Sequence, residues 1–155
     1  MHISDDPHHT RMLAALEEAR LAGERDEVPI GAVLVHRDSG KITARAGNRT
    51  IEHCDPTAHA EIQVIRDVCK YEGAQRIPDY DLYVTLEPCP MCAAAISFAR
   101  IGTVYFGAFD PKSGGLTSTV NLYGHSQLHH KPSVVSGILQ EECAKILKNF
   151  FALKR

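Results

Sequence analysis

The chain has 155 residues with a formal net charge of −2 at pH 7, and 44% of its residues are hydrophobic. This length and composition are typical of a globular protein, so we expect a single domain that spans residues 1–155. The balanced charge excludes strong, indiscriminate binding to nucleic acid, and an RNA partner would have to be held by local patches.

The first predicted element is a helix. Asp6 followed by Pro7 is typical of a helix start, and the apolar pattern continues to about Ala22. Residues 24–27 are all charged, and we interpret them as a charged connector between elements. The helix residues predicted to face the core are Met12, Leu13, Leu16 and Ala19.

A hairpin and a second helix are predicted next. Two β-rich stretches, 29–36 and 41–47, flank a turn, which predicts the hairpin. A polar loop, 48–56, leads to a predicted helix over 57–71 with Thr57 as its N-cap. The apolar stripe of this helix is predicted to be Ile62, Ile65, Val68 and Cys69.

The second half of the chain is predicted to alternate strands and helices. Strands are expected at 81–86, 103–107 and 133–137, with helices over 90–99 and 139–153. The resulting order, α-β-β-α-β-α-β-β-α, belongs to the α/β class and calls for a five-stranded mixed sheet with helices on both faces. The hairpin supplies the antiparallel part of this sheet, and helical crossovers supply the parallel part.

Two short motifs, HAE and PCPMC, contain the residue types of a catalytic metal site. A catalytic zinc takes three protein ligands, typically nitrogen and sulfur atoms, and leaves its fourth position to water. His59, Cys89 and Cys92 supply such a set, so we predict one Zn²⁺ per chain. Glu61 is not needed as a ligand and is free to move protons for the bound water, which is the arrangement of zinc-dependent base deaminases.

The spacing of these residues is explained by helix ends. Side chains at positions i and i+2 of a regular helix point about 200° apart, so His59 and Glu61 can converge only over a helix N-terminus. Cys89 and Cys92 are three residues apart and share one face of the opening turn of the next helix. Both helix N-termini therefore point at one metal, and their positive ends favour thiolate over thiol.

Alternatives remain open for the metal motif. The Cys89-x-x-Cys92 pair alone would also fit a redox pair or half of a structural zinc site. A non-enzymatic zinc module would need a fourth ligand, for which Cys54 is the candidate. We predict that Cys54 is not a ligand.

The remaining features indicate a cytoplasmic protein. The chain has five cysteines, an odd number, and those outside the metal motif are expected to be free thiols, which suits a reducing compartment. No apolar run reaches membrane-spanning length, and the polar stretch 1–10 lacks the apolar region of a secretory signal. We therefore expect no membrane partner.

Several segments beyond the zinc ligands carry a resemblance to a known family. These are VPIGAVLV at 28–35, DPTAHAE at 55–61, LYVTLEPC at 82–89, FGA at 106–108, and GIL at 137–139 leading to Phe150 and Phe151. Together they resemble the bacterial tRNA-specific adenosine deaminases, which convert the wobble adenosine of tRNA to inosine. The likeness covers roughly residues 8–155, and the zinc motif alone is shared with cytosine and guanine deaminases.

The resemblance implies a homodimer with the cytidine deaminase-like three-layer α-β-α fold, acting on the anticodon loop of tRNA. It implies that Asn48 binds the flipped nucleotide, that Asp110 and Lys112 touch its neighbours, and that the closing helix offers aromatic contacts. The activity implied is zinc-dependent hydrolysis of adenosine to inosine, and the alternative is a free nucleobase or nucleoside deaminase of the guanine or cytosine type. The implied substrate-binding residues are Asn48, Ala58, Asp110, Lys112, Phe150 and Phe151.

Some of these residues also have a purely structural interpretation. Asn48 taken alone would fit a loop-capping residue. If Phe150 packs inward, its neighbour Phe151 is exposed and either stacks on a base or packs against a second subunit. The basic residues of the closing segment suit an RNA backbone or the negative end of the helix dipole, and they are Lys145, Lys148, Lys154 and Arg155.

Overall fold

The helices and strands follow the predicted order. The computed structural model describes residues 6–125 and 127–154. None of the described helices has the length and apolar character needed to cross a membrane. In chain order the elements are α1 (Pro7–Glu24), β1 (Gly31–His36), β2 (Ile42–Gly47), α2 (Ala60–Glu72), β3 (Tyr80–Leu86), α3 (Pro90–Phe98), β4 (Thr103–Ala108), a 3₁₀ turn (Leu122–Gly124), β5 (Ser133–Val135) and α4 (Gln140–Leu153).

The strands form one mixed sheet in the order β2-β1-β3-β4-β5. β1 is antiparallel to β2 and β3, whereas β4 is parallel to β3 and β5. The predicted five-stranded mixed sheet is therefore confirmed. Because β3 and β4 run parallel, with Leu86 paired to Ala108, the segments that follow them start side by side at one edge of the sheet.

Helices cover both faces of the sheet, which confirms the three-layer α-β-α arrangement. On one face, Val64 of α2 and Ile96 of α3 join an apolar cluster that includes Leu82 of β3. On the other face, α1 and α4 contribute to a second cluster, which includes Met12 and Tyr83. Successive residues of β3 thus enter opposite clusters, as the alternation of side chains along a strand requires.

The backbone of α1 lies closer to the sheet than the sequence of the helix indicates. The Asp6 cap is confirmed, since its carboxylate accepts a hydrogen bond from the His8 N–H at 2.9 Å. Leu13 is 57% exposed, so its prediction as a core residue is wrong. A Cβ on Gly31 of β1 would overlap the Ala15 carbonyl oxygen, so the helix backbone lies directly against the strand and only small side chains fit between. The buried residues of α1 are Met12, Ala15, Ala19 and Ala22.

The second helix begins later than predicted. α2 starts at Ala60 with His59 as its N-cap, so the prediction of Thr57 as the cap is wrong. The N–H and hydroxyl groups of Thr57 both donate to the Asp55 carboxylate, at 2.8 and 2.7 Å. This local turn competes with the helix for Thr57 and leaves His59 at the helix end. Of the predicted stripe, Val68 is buried, and the half-buried members are Ile62, Ile65 and Cys69.

The close approach of α1 to β1 predicts different effects for two Gly-to-Ala substitutions. Gly31→Ala should lower the free energy of unfolding by about 3 kcal/mol, because the added methyl group forces the backbone of α1 away from the sheet. Gly23→Ala, inside α1, meets only an ordinary contact with Pro29 at 3.5 Å and should raise stability by about 0.5–1 kcal/mol through helix propensity. Urea unfolding of both variants is the measurement, and equal effects would contradict the close packing.

Candidate active site

Three potential metal ligands meet where two helices begin. His59 is the N-cap of α2 and Cys89 is the N-cap of α3, and neither side chain makes a capping hydrogen bond. Cys92 lies in the first turn of α3, and the ligand atoms of the three residues all lie within 4.8 Å of one another. The side chains of both caps are therefore available to a cation.

The separations of these atoms fit a tetrahedral zinc. His59 Nδ1 lies 3.7 Å from Cys89 Sγ and 3.5 Å from Cys92 Sγ. A tetrahedral zinc with nitrogen at about 2.05 Å and sulfur at about 2.3 Å separates the two ligand atoms by about 3.6 Å. The donor types and spacings are those of a zinc site that uses Nδ1 of the histidine.

Cys54 lies outside this group of ligands. It is exposed, and its Sγ lies 3.7 Å from the Ile51 carbonyl oxygen. Among the residues that the structure describes, the cluster suited to a metal contains His59, Cys89 and Cys92 without a fourth protein ligand. A site with three protein ligands belongs to the catalytic rather than the structural class.

The two cysteines differ in protonation. A hydrogen bond with Cys92 is the largest cause that lowers the pKa of Cys89, to about 4, and contact with His59 lowers it further. The same hydrogen bond, together with burial, raises the pKa of Cys92. The two thiols thus share one proton between them, and that proton must leave for both sulfur atoms to bind a metal.

Glu61 lies in the first turn of α2 but is not part of the ligand cluster. Its side chain is 4% exposed, and burial raises its pKa to about 7. General acid–base catalysis is most effective when the pKa of the group lies near the working pH. Glu61 is therefore suited to accept and return protons at neutral pH.

Asn48 offers an unpaired acceptor. Its backbone is fixed on both sides, since its N–H donates to the Ile30 carbonyl at 3.1 Å and its carbonyl accepts from Arg25 at 3.2 Å. The side chain is 5% exposed, yet its Oδ1 has no hydrogen-bond partner among the described residues. Leaving a buried acceptor unpaired costs about 1–3 kcal/mol, and the loop-capping alternative would have paired it. A ligand that donates a hydrogen bond would remove this cost.

Ala58 is enclosed by its own loop. It is 1% exposed, its N–H donates to the Asp55 carbonyl at 3.1 Å, and its carbonyl accepts from the Arg49 N–H at 3.0 Å. Its predicted role in substrate binding remains a prediction.

The predicted RNA contacts of two distant segments meet in one groove with a volume of about 670 Å³. Phe150 is half-buried and Phe151 is 47% exposed, as predicted for adjacent helix residues of which one packs inward. Asn48 does not line the groove, and Arg155, one of the basic residues of the closing segment, lies outside the described residues. The implied substrate contacts that line the groove are Asp110, Lys112 and Phe151, and the basic residue Lys154 lines it as well.

Glu27 holds the loop that follows Asn48. It belongs to the predicted charged connector but is only 1% exposed. Its carboxylate accepts hydrogen bonds from the Ile51 N–H at 3.2 Å and from the Glu52 N–H at 2.8 Å. Since the three residues before it are also charged, its residue type does not separate this buried glutamate from exposed ones.

Glu87 is a second buried carboxylate that the sequence analysis missed as a functional residue. It lies between β3 and the metal-binding cysteines and is 2% exposed. Burial alone would raise its pKa, but hydrogen bonds from Ser118, Thr117 and Asp110 outweigh burial and hold the pKa below its ordinary value. Its position between an apolar strand and the PCPMC motif is the signal that could have identified it, because a charge there needs several partners.

Comparisons with known proteins agree with this site. Residues 5–108 match the family model of the cytidine and deoxycytidylate deaminase zinc-binding region. A tRNA-specific adenosine deaminase from Agrobacterium fabrum (strain C58 / ATCC 33970) is 59% identical over 144 residues, which cover 93% of each chain. A solved structure is also 59% identical and has a TM-score of 0.86, over 89% of this chain and 99% of that chain. It comes from biochemical and structural studies of A-to-I editing by tRNA:A34 deaminases at the wobble position of transfer RNA. A guanine deaminase from Nitrosomonas europaea has a TM-score of 0.82 at 22% identity, over 93% of this chain and 84% of that chain, which shows a shared fold alone.

The ligand cluster predicts the metal content of matched cysteine variants. Cys54→Ala should retain one zinc per chain, because Cys54 lies outside the cluster, whereas Cys89→Ala should lose most of its zinc. Metal analysis of the two purified variants beside the wild type is the measurement. Loss of zinc from Cys54→Ala would place the site in the structural class.

Proposed function

Because the chain belongs to the tRNA-specific adenosine deaminases of the cytidine and deoxycytidylate deaminase zinc-binding family, we propose that it hydrolyses the wobble adenosine of tRNA to inosine. The observation that carries this proposal is the 59% identity with the Agrobacterium enzyme over 93% of both chains. The proposal includes a single deaminase domain over residues 1–155 with one zinc, and a cytoplasmic location, where tRNA is available.

His59, Cys89 and Cys92 would hold the zinc, which, when bound, supplies a water acidic enough to act as a nucleophile near neutral pH. Glu61 handles the protons of the reaction. Its carboxylate accepts a proton from the nucleophilic water, and the resulting acid passes it to N1 of the adenine ring. After the bond forms at C6, Glu61 takes the remaining proton from the new hydroxyl group on C6 and gives it to the departing amine, so that water and adenosine yield inosine and ammonia.

The target base has to leave its stack to reach the metal, at a cost of a few kcal/mol that is smallest in a loop. Asn48 supports this step, because its buried Oδ1 can accept a hydrogen bond from the flipped nucleotide. In the groove, Asp110 and Lys112 would contact the neighbouring nucleotides, and the exposed ring of Phe151 is available for stacking. Phe150, next to Phe151 on the same helix, and Ala58 complete the proposed set of substrate-binding residues.

We also propose the homodimer that the family resemblance implies. Phe98, at the end of α3, is 70% exposed, and beside it lies a groove lined in part by Ile62 and Ile65 of α2. An apolar ring of this size at the surface is typical of residues that pack against a partner. This surface lies on α2 and α3, the two helices that begin at the metal ligands.

The role of Glu61 predicts the effect of an isosteric change. Glu61→Gln should keep its zinc and its fold but lose turnover by about 10²–10⁴-fold or more, because the amide cannot carry the protons. Single-turnover deamination of an anticodon stem-loop, with metal analysis, is the measurement. Asp67→Asn, an exposed carboxylate on the same helix, is the matched control and should retain wild-type activity. A Glu61→Gln enzyme with a tenth of wild-type turnover would show that another group carries the protons.

The substrate assignment predicts a preference among bases. The enzyme should form inosine in an anticodon stem-loop and should release little ammonia from free adenosine, guanine or cytosine, because the groove contacts need neighbouring nucleotides. Binding should weaken with salt, but with a small slope, since few phosphate contacts are implied by the balanced charge. Efficient ammonia release from free guanine or cytosine, without inosine in RNA, would favour the free-nucleobase alternative.

A further inference from the structure

The segment that follows β4 is folded around the side chain of Glu87. Oε1 of Glu87 accepts hydrogen bonds from the Asp110 N–H at 3.1 Å and from the Ser118 hydroxyl. Oε2 accepts from the Thr117 hydroxyl at 3.4 Å. Residues at both ends of the 110–118 segment thus donate to one buried carboxylate. The backbone N–H donors to Oε2 are those of Leu116, Thr117 and Ser118, at 3.1, 2.8 and 3.0 Å.

Two glycines let this segment approach the carboxylate and the first metal-binding cysteine. A Cβ on Gly114 would overlap the Glu87 carboxylate. The Gly115 N–H donates to the Pro88 carbonyl at 2.7 Å, and a Cβ on Gly115 would lie 2.7 Å from Pro90 N. The segment therefore contacts the chain on both sides of Cys89, and these contacts place the segment relative to the cysteine.

The same segment carries the proposed substrate contacts. Asp110 and Lys112 line the groove, and so does Leu86, the residue before Glu87. Asp110 Oδ1 accepts from the N–H groups of Lys112 and Ser113, both at 3.1 Å. Because the 110–118 segment contains no helix or strand, its conformation depends on these hydrogen bonds.

We propose that Glu87 is a positioning residue for substrate binding, which holds Asp110 and Lys112 at a fixed place relative to the metal-binding cysteines. This inference rests on the proposed function, since it takes the ligand of the groove to be the RNA strand around the target nucleotide. An ionised carboxylate only accepts hydrogen bonds, and the groups bonded to Glu87 are all donors. An amide at this position would direct its NH₂ group at several of these donors and leave them unpaired.

Glu87→Gln is the direct test, because the amide keeps the size of the side chain. The variant should retain one zinc per chain, and the backbone N–H groups of residues 116–118 should exchange with solvent faster than in the wild type. KM for the anticodon stem-loop should rise by about 10- to 100-fold, the scale expected for misplaced binding groups. The kcat should change much less, because Glu61 and the metal ligands stay in place.

Asp81→Asn is the matched control. Asp81 lies near the start of β3, the strand that ends just before Glu87. It is 6% exposed and accepts hydrogen bonds from Arg37 and from the Thr103 N–H, both at 3.0 Å. Its amide variant should lose stability without faster exchange at 116–118 and without a change in KM. An equal rise in KM for Asp81→Asn would show a general loss of stability and overturn the positioning role.

Gly114→Ala tests the same contact from the other side and covers the case in which Glu87→Gln fails to fold. Its methyl group pushes the segment away from the carboxylate, so the same faster exchange and higher KM are expected. Unchanged exchange at 116–118 in either folded variant would overturn the inference. If the wild-type enzyme is inactive on the stem-loop, the proposed function and the substrate-binding part of this inference are overturned. Hydrogen exchange at residues 116–118 would still decide whether Glu87 holds the segment.

Discussion

The structure depends on the meeting of two helix N-termini at one point. α2 and α3 begin at His59 and Cys89, whose side chains make no capping hydrogen bonds and instead face each other with Cys92. The positive ends of the two helices favour the thiolate of Cys89 and the binding of an activated water at a metal held there. Because α3 follows β3 after a short connection, the sheet fixes where α3 begins. The distance between the N-termini of α2 and α3 is thereby set.

The loops around this point are held by buried carboxylates rather than by regular structure. Glu27 binds the loop that follows Asn48, and Glu87 binds the segment that contains Asp110 and Lys112. Most of the hydrogen bonds to both glutamates come from backbone N–H groups, and Asp110 donates through its N–H, so Glu87 does not occupy the side chain of Asp110 or that of Lys112. Rigid strands and helices thus position the potential metal ligands, and two buried carboxylates hold the loops that carry the proposed substrate contacts.

Local sequence was sufficient for the metal ligands and for the order of the elements, because both follow from spacing and periodicity. The remaining features depend on contacts between distant segments. Leu13 is more hydrophobic than Ala15, but the close approach at Gly31 admits only the smaller residue, and the helix pattern contains no information about that strand. Most partners of Glu27 and Glu87 are backbone N–H groups, which nearly every residue carries, so no side-chain pattern in the sequence identifies these partners.

The placement of the ligands on separate elements also links metal binding to folding. His59 and the two cysteines come together only when α2 packs beside β3 and α3, so the unfolded chain offers no assembled site. By mass action, each tenfold increase in free zinc above the dissociation constant adds about 1.4 kcal/mol to the free energy of unfolding. The thermal stability of the enzyme is therefore set partly by the zinc supply of the cell, and zinc limitation would reduce its amount as well as its activity.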